Sequence, residues 1–595
     1  MRGPRNAMAD QKPRNFKKTM GTLIRGYLKP YIKSLIFVAF SALISAVFSV
    51  VSPMIMGNAT DLIASGASSG MMDFEKLFSI CIVLLSLYLI TSLFTFLQGF
   101  IMSGVCQKIT YQLRENVSRK IDRLPLKYYD TKSHGEILSR ITNDIETISQ
   151  SLNQSLTQTI TSVATLIGVI IFMLSISPIM ALTCFIVLPL SAILIGVVIK
   201  RSQIYFKQQQ QFLGELNGHV EEMYTGHLIV KAYNGEQDSI EKFEKHNDNL
   251  YQTAWKSQFL SGLMMPITVF VGNLGYVFVC VVGGLLALRG QVTIGGIQAF
   301  LQYVRLFNQP VSQVAQIANM LQSTTAAAER VFELLDEEEE INETSAPVTL
   351  SPEKCQGHVV FDHVKFGYDS DKIVIRDFNY EVYPGMKVAI VGPTGAGKTT
   401  LVKLLMRFYE LHSGSIFIDG IDSKEMTRSD LRSLFGMVLQ DAWLFSGTIK
   451  ENIRYGKPNA TDEEIMRAAK AAQITHFINT FPEGYDTLIN EDASNISQGQ
   501  KQLLTIARAI LSDAPIMILD EATSSVDTRT EVLIQTAMQN LMKDRTSFII
   551  AHRLSTIRDA DTILVIRDGD IVETGNHVSL MAENGFYANL YNSQF

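Results

Sequence analysis

Lys387-Val-Ala-Ile-Val391 followed by Gly392-Pro393-Thr394-Gly395-Ala396-Gly397-Lys398-Thr399-Thr400 decides how this chain is read. The apolar, β-branched run predicts a buried strand, and Leu401–Phe408 predicts a helix. Between them lies the P-loop pattern in its required strand–loop–helix setting. Its glycines let the backbone curl so that successive N–H groups point at phosphate, and the helix N-terminus adds partial positive charge. Lys398 is placed to reach the β and γ phosphates and Thr399 to ligate Mg²⁺. Bland readings of each element exist, but the ordered context makes a nucleotide site the expectation.

Downstream, Ile516-Met-Ile-Leu-Asp520-Glu521 reads as a buried parallel strand ending in two acids. Ligands of open α/β sheets sit at the carboxyl ends of strands, which places Asp520 to hold Mg²⁺. Glu521, one residue on, is placed to polarise an attacking water. Ser497-Gln498-Gly499-Gln500 precedes an apolar helical run, and Ser497 is a candidate cap near which an anion could bind. His552 ends the strand-like Ile549-Ile-Ala, Gln440 follows Phe435–Leu439, and Tyr368 lies in Phe366-Gly-Tyr-Asp. Each of these three is ordinary alone and gains meaning only from its companions.

Outward from that domain the composition changes. The chain has 595 residues, 47% hydrophobic and only 18% charged, with mean hydropathy +0.15 and net charge −6. These values exclude disorder and a small disulfide scaffold, and the net negative charge argues against nucleic-acid binding. Residues 34–60, 77–107, 147–199 and 257–288 contain no Asp, Glu, Lys or Arg. About 20 apolar residues cross a bilayer. Three of these stretches hold one span each, and 147–199 holds two, broken at Ser175-Ile-Ser-Pro178. A sixth, more polar span is expected from Val292 past Arg305.

Lys and Arg number 9 in residues 1–33, 8 in 108–146 and 7 in 200–256, against two in all the alternate loops. That asymmetry predicts cytosolic N- and C-termini in a multi-pass cell-membrane protein. The two long basic loops read as helical hairpins reaching into the cytosol. Met1–Lys33 lacks a signal-peptide pattern, and Gly21–Tyr31 suits an interfacial helix. The five cysteines show no metal-ligand spacing. The expected organisation is a cytosolic segment (1–33), a six-helix transmembrane domain with long cytosolic extensions (34–330), and a linker (331–356) rich in acids, Ser, Pro and Thr. An α/β P-loop ATPase domain with a helical subdomain (357–595) completes it.

With these motifs in this order, the chain resembles an ATP-binding cassette (ABC) exporter half-transporter, like one subunit of bacterial heterodimeric multidrug exporters. The resemblance implies that Tyr368 stacks on adenine, that Gly392–Thr400 cradles the phosphates, and that Gln440 contacts Mg²⁺ and the lytic water. It further implies Ser497, Gly499 and Gln500 as the signature serving a partner's ATP, Glu521 as general base, Ser524–Asp527 as the D-loop and His552 as the γ-phosphate switch. ATP and Mg²⁺ are the implied cofactors. Tyr128–Ser139 and Glu221–Glu236 resemble the family's coupling loops. The family's Leu-Ser-Gly-Gly-Gln reads Ile496-Ser-Gln498-Gly-Gln here, losing a glycine's freedom at positive φ, if any was used, and putting a long amide near the partner's γ-phosphate.

That departure favours a heterodimer with a second half-transporter chain over a homodimer. The implied activity is ATP-driven export of amphipathic compounds (drugs, lipids or peptides) by alternating access. The alternative is an ATP-gated channel or regulator on the same scaffold. By the same resemblance an importer is disfavoured, because bacterial-type importers usually keep membrane and ATPase parts on separate chains. Gln298, Gln302, Arg305, Gln309, Gln313 and Gln316 recur at helical spacing and form a stripe roughly 80° wide, expected to line the substrate path. The competing expectation is that they pack against a neighbouring helix.

Overall fold

The computed structural model describes residues 15–341, 343, 346–369, 372–490, 495–520, 527–550 and 557–594. The chain divides into two compact units. One runs to Asp122 and resumes over His134–Glu337; the other joins Arg123–Ser133 to the chain from Glu338 onward.

The first unit is helical. Among the described residues, six of its long helices, numbered first to sixth in chain order, hold the charge-poor stretches: Ile32–Ser69, Phe74–Ile121, Ile145–Ile176, Pro178–Thr225, Met264–Leu288 and Ile294–Asp336; a further long helix, Glu236–Gly262, precedes the fifth. Four helical runs among the described residues are long and apolar enough to cross a membrane: Phe16–Ser69, Phe74–Ile121, His134–Ile176 and Glu236–Leu288. The sixth helix begins at Ile294, capped by the Thr293 hydroxyl, which accepts from Gly296 N–H at 3.0 Å. The break read at Pro178 is real. The third helix stops at Ile176, Ser177 is extended and caps the next helix, and Pro178 occupies its first turn, where a missing N–H costs nothing. Residues 16–31 form a continuous helical run into the first span, through a π turn at Leu23–Leu28 and a 3₁₀ turn at Lys29–Tyr31.

Along the second helix Phe78, Leu85, Leu89, Phe96 and Phe100 are exposed. An apolar face open to the surroundings suits hydrocarbon or another helix, since lipid demands only that backbone groups be satisfied internally. Inside the bundle, Phe300, Tyr303, Val304 and Phe307 of the sixth helix pack with Val50, Val169 and Met173.

The first and sixth helices touch at backbone level. A Cβ at Gly295 would lie 1.9 Å from Gly57 O, and one at Gly57 would lie 2.6 Å from Gly295 O. Small residues permit such approach between membrane helices. The Asp61 carboxylate accepts from Gly295 N–H at 2.6 Å, satisfying a donor left open by the helix start. Gly295→Val forces two backbones apart, and no rotamer relieves it. The expected cost is about 1–3 kcal/mol, read as a lower melting temperature in detergent; an unchanged melting temperature contradicts the contact.

The second unit is α/β. Its main sheet runs Asp570–Gly575, Thr562–Arg567, Lys387–Val391, Thr546–Ile550, Ile516–Asp520, Phe435–Val438, parallel except for the first, edge strand. A second, antiparallel sheet is built on Val359–Asp369, Lys372–Val382 and Ser413–Ile418. Short helices between Ile449 and Ile478, with the longer Gln498–Ser512, pack on one shared core and make up the helical part.

Two sequence segments take unexpected company here. The helix Leu126–Thr131 belongs to this unit, where Asp130 accepts from Lys403 Nζ at 3.3 Å and from the Tyr409 hydroxyl. The acidic run is laced down too. Glu340 pairs with Arg428 at 3.5 Å and Arg432 at 3.7 Å, and the buried Arg428 guanidinium also donates to Ile341 O at 2.8 Å.

Candidate nucleotide and transport sites

The parallel register sets the nucleotide site. Ile550 pairs with both Ile390 and Asp520, and Val438 pairs with Leu519. The P-loop, Asp520 and Gln440 therefore all emerge at the carboxyl edge of adjacent strands, where such sheets place ligands.

The loop itself leaves no room for side chains at two glycines. A Cβ on Gly392 would lie 2.2 Å from Ile566 O, and one on Gly397 would lie 2.7 Å from Ile375 Cδ1. Gly395 and Gly397 also hold φ of +85° and +105°, which a β-carbon disfavours. The helix Lys398–Leu405 starts directly after Gly397, so its open N–H groups face the loop. Lys398 is buried, and its Nζ donates to Gly392 O at 2.7 Å and Pro393 O at 3.1 Å. Burial lowers its pKa from the ordinary lysine value, and the Asp520 carboxylate opposes that shift. A buried ammonium held by loop carbonyls is a donor set that phosphate oxygens can take over. Thr399, in the first turn of this helix, is exposed while Thr400 is buried. These residues fit a nucleotide triphosphate with a divalent ion.

Tyr368 stands beside this helix. Its hydroxyl lies 3.1 Å from Thr400 Oγ1, and its ring meets Tyr409 and Phe366 edge-on at 5.1 Å each. Gln440 is exposed just beyond its strand. Pro393, Thr394 and Gly395 are exposed and Ala396 is buried.

Ser497 caps the helix Gln498–Ser512 in a reciprocal box. Its hydroxyl accepts from Gln500 N–H at 3.4 Å, and Gln500 Oε1 accepts from Ser497 N–H at 2.9 Å. Gln498 lies in the first helical turn and is absent from the residues with positive φ. The backbone there needs no glycine, so the substitution for the family's glycine is free of strain. Glu521, Ser524 and His552 lie outside the described residues. Asp527 caps the helix Thr528–Met542 by accepting from Thr530 N–H at 3.0 Å.

In the membrane bundle, the described amides of the sixth helix meet neighbouring helices. Gln298 pairs with Thr60, Gln302 donates to Met56 Sδ at 3.1 Å, and Gln313 accepts from Ser162 at 2.8 Å. Arg305 is exposed. The side chains of Gln309 and Gln316 lie outside the described residues. Sequence reasoning missed Asp61, Asp130 and the partners of these amides, because all three depend on contacts far apart in the chain.

Residues 35–311 match the family description "ABC transporter transmembrane region", and residues 375–524 match "ABC transporter". A "Fatty acid ABC transporter ATP-binding/permease protein" of Mycobacterium bovis is 46% identical over 97% of this chain and 96% of its own length. The chain belongs to the ABC exporters. An "ATP-dependent lipid A-core flippase" of Desulfotalea psychrophila is 36% identical over 86% of this exporter and 89% of that protein. Among solved structures, a bacterial Atm1-family ABC exporter with ATP bound superposes with a TM-score of 0.71 at 28% identity. That match covers 96% of this exporter and 99% of the other chain. The exporter is thus a multi-pass membrane ATPase that couples ATP use to transport.

Proposed function

We propose that this exporter moves an anionic, lipid-like amphiphile out of the cytosolic side of the membrane by alternating access. ATP binding closes two nucleotide-binding units, and hydrolysis resets them. The observation that carries the substrate class is Arg305, an exposed cation on an otherwise apolar and amide-bearing membrane helix. A charge kept at such depth is costly and marks a ligand path or a partner charge. The names of the fatty-acid and lipid A-core relatives support the same class. The Lys and Arg asymmetry of the loops supports cytosolic termini.

At this chain's own ATP site, Lys398 and the loop N–H groups hold the phosphates, with Tyr368 against the base. Thr399, Gln440 and Asp520 would hold Mg²⁺, whose charge offsets that of the phosphates. Glu521 takes the proton of the attacking water, and His552 contacts the γ-phosphate. Ser497, Gly499 and Gln500 serve the partner chain's ATP. The altered residue Gln498 supports a heterodimer, in which this chain houses the working P-loop, base and switch. Purified alone, the chain is expected to lack substrate-stimulated ATPase. A stable homodimer with full stimulated activity overturns the heterodimer.

Arg305→Gln tests the substrate class. A charge-assisted hydrogen bond contributes about 1.5–3 kcal/mol, so the concentration of fatty acid giving half-maximal ATPase stimulation should rise roughly 10- to 100-fold. Stimulation by an uncharged amphiphile should stay put. Equal shifts for both ligands would remove Arg305 from headgroup recognition.

A further inference from the structure

A guanidinium of the second unit, uninvolved in the chemistry above, holds three segments together. Arg508 lies on the helix Gln498–Ser512, 11 residues past Ser497. Its Nε donates to Asn452 O at 2.9 Å, Nη2 to Asn452 Oδ1 at 3.2 Å, and Nη1 to Trp443 O at 3.2 Å. The guanidinium carbon lies 5.8 Å from the ring centre of Phe445 and 5.4 Å from that of Tyr455, and the two rings are 4.7 Å apart. Asn452 is only 2% exposed and closes the same loop from the other side. It accepts from Phe445 N–H at 2.8 Å and donates to Phe445 O at 2.8 Å and Thr448 O at 3.1 Å. Behind it the chain is tight, since a Cβ on Gly456 would lie 2.2 Å from Arg508 O.

The loop so held begins one residue after Gln440. The helix that holds it begins at the Ser497 cap, about 16 Å away at 1.5 Å per residue. A planar fork donating in three directions while stacking on aromatic faces is a task for arginine that a lysine ammonium does not reproduce.

We infer that Arg508 is a positioning residue that locks the segment after Gln440 to the signature helix, so that the two move as one body. This rests on the roles proposed for Gln440 and Ser497. In the dimer, Gln440 reads this chain's own ATP while Ser497 serves the partner's, so Arg508 links one ATP site to the other. Coupling of that kind needs a contiguous rigid element biased from both ends. The helix supplies the element and Arg508 supplies its attachment to the loop. Nucleotide affinity resides in the P-loop, which Arg508 does not touch. Loss of the link should therefore lower turnover and leave nucleotide binding in place.

Arg508→Lys tests this in the full dimer in nanodiscs. The chain has two tryptophans, so Trp255→Phe leaves Trp443 as its sole indole, and Trp443→Phe defines the signal that belongs to it. The probe is Mg²⁺ with the non-hydrolysable analogue AMP-PNP. Arg508→Lys is expected to bind the probe within about threefold of wild type. It should lose at least half of the Trp443 emission change and lower kcat roughly tenfold or more at a KM for ATP within threefold. A wild-type emission change, a wild-type kcat, or a loss of AMP-PNP binding in step with kcat each overturns the inference. Should Arg508→Lys fail to fold, Phe445→Leu with Tyr455→Leu removes the two exposed rings and carries the same expectations and the same contrary results. A wild-type dimer without ATPase activity sinks the site roles themselves. Normal wild-type turnover with an indifferent Arg508→Lys sinks only the link.

Discussion

Lys398→Ala should abolish ATP-driven turnover and weaken ATP binding at least about 100-fold. The Nζ makes two hydrogen bonds to loop carbonyls from a buried position. When phosphate oxygens replace those carbonyls the bonds become charge-assisted on both sides, worth about 1.5–3 kcal/mol each. Losing two of them exceeds the ~2.7 kcal/mol that corresponds to a hundredfold. Alanine also leaves Asp520 without the nearby cation that now faces it. A fluorescent ATP analogue titrated against both proteins measures the change. A dissociation constant within threefold of wild type contradicts this role.

Glu521→Gln should separate binding from chemistry. It keeps the size and most of the shape of the side chain and removes the base. Turnover is expected to fall by at least about 10²-fold, the lower end for a lost general base, with the analogue still bound at near wild-type affinity. Asp520 ends a fully buried strand at the ligand edge of the sheet. Glu521 follows it directly in sequence. Turnover at the wild-type rate would assign the proton to another group.

These two predictions could be written from sequence because backbone chemistry writes itself locally. The glycines at 392, 395 and 397 stand where a Cβ would strike Ile566 or Ile375, or where φ is positive. Pro178 interrupts the charge-free run where one helix ends and the next begins. Ser497 caps the helix it precedes. Each signal involves residues within a few positions of one another.

What stayed hidden is long-range pairing. Asp61 reads as the acid that ends a hydrophobic stretch, yet it meets Gly295, 234 residues away. The spacing of the sixth-helix amides gave a stripe but could not say what faces it. Thr60, Met56 and Ser162 come from two other helices. The acids near 340 read as part of a linker, and only the fold brings Arg428 and Arg432 to Glu340. Arg508 carries no local signal either, because its three acceptors lie on a different loop and helix.

Transport itself tests the central claim most directly. The dimer is reconstituted in proteoliposomes with its ATP units outward, and a labelled fatty acid is followed after adding Mg²⁺ and ATP. The account predicts net inward accumulation of label against its gradient, dependent on ATP and absent in Lys398→Ala. Movement of label only down its gradient, at the same rate in wild type and Lys398→Ala, would contradict an ATP-driven exporter of anionic amphiphiles.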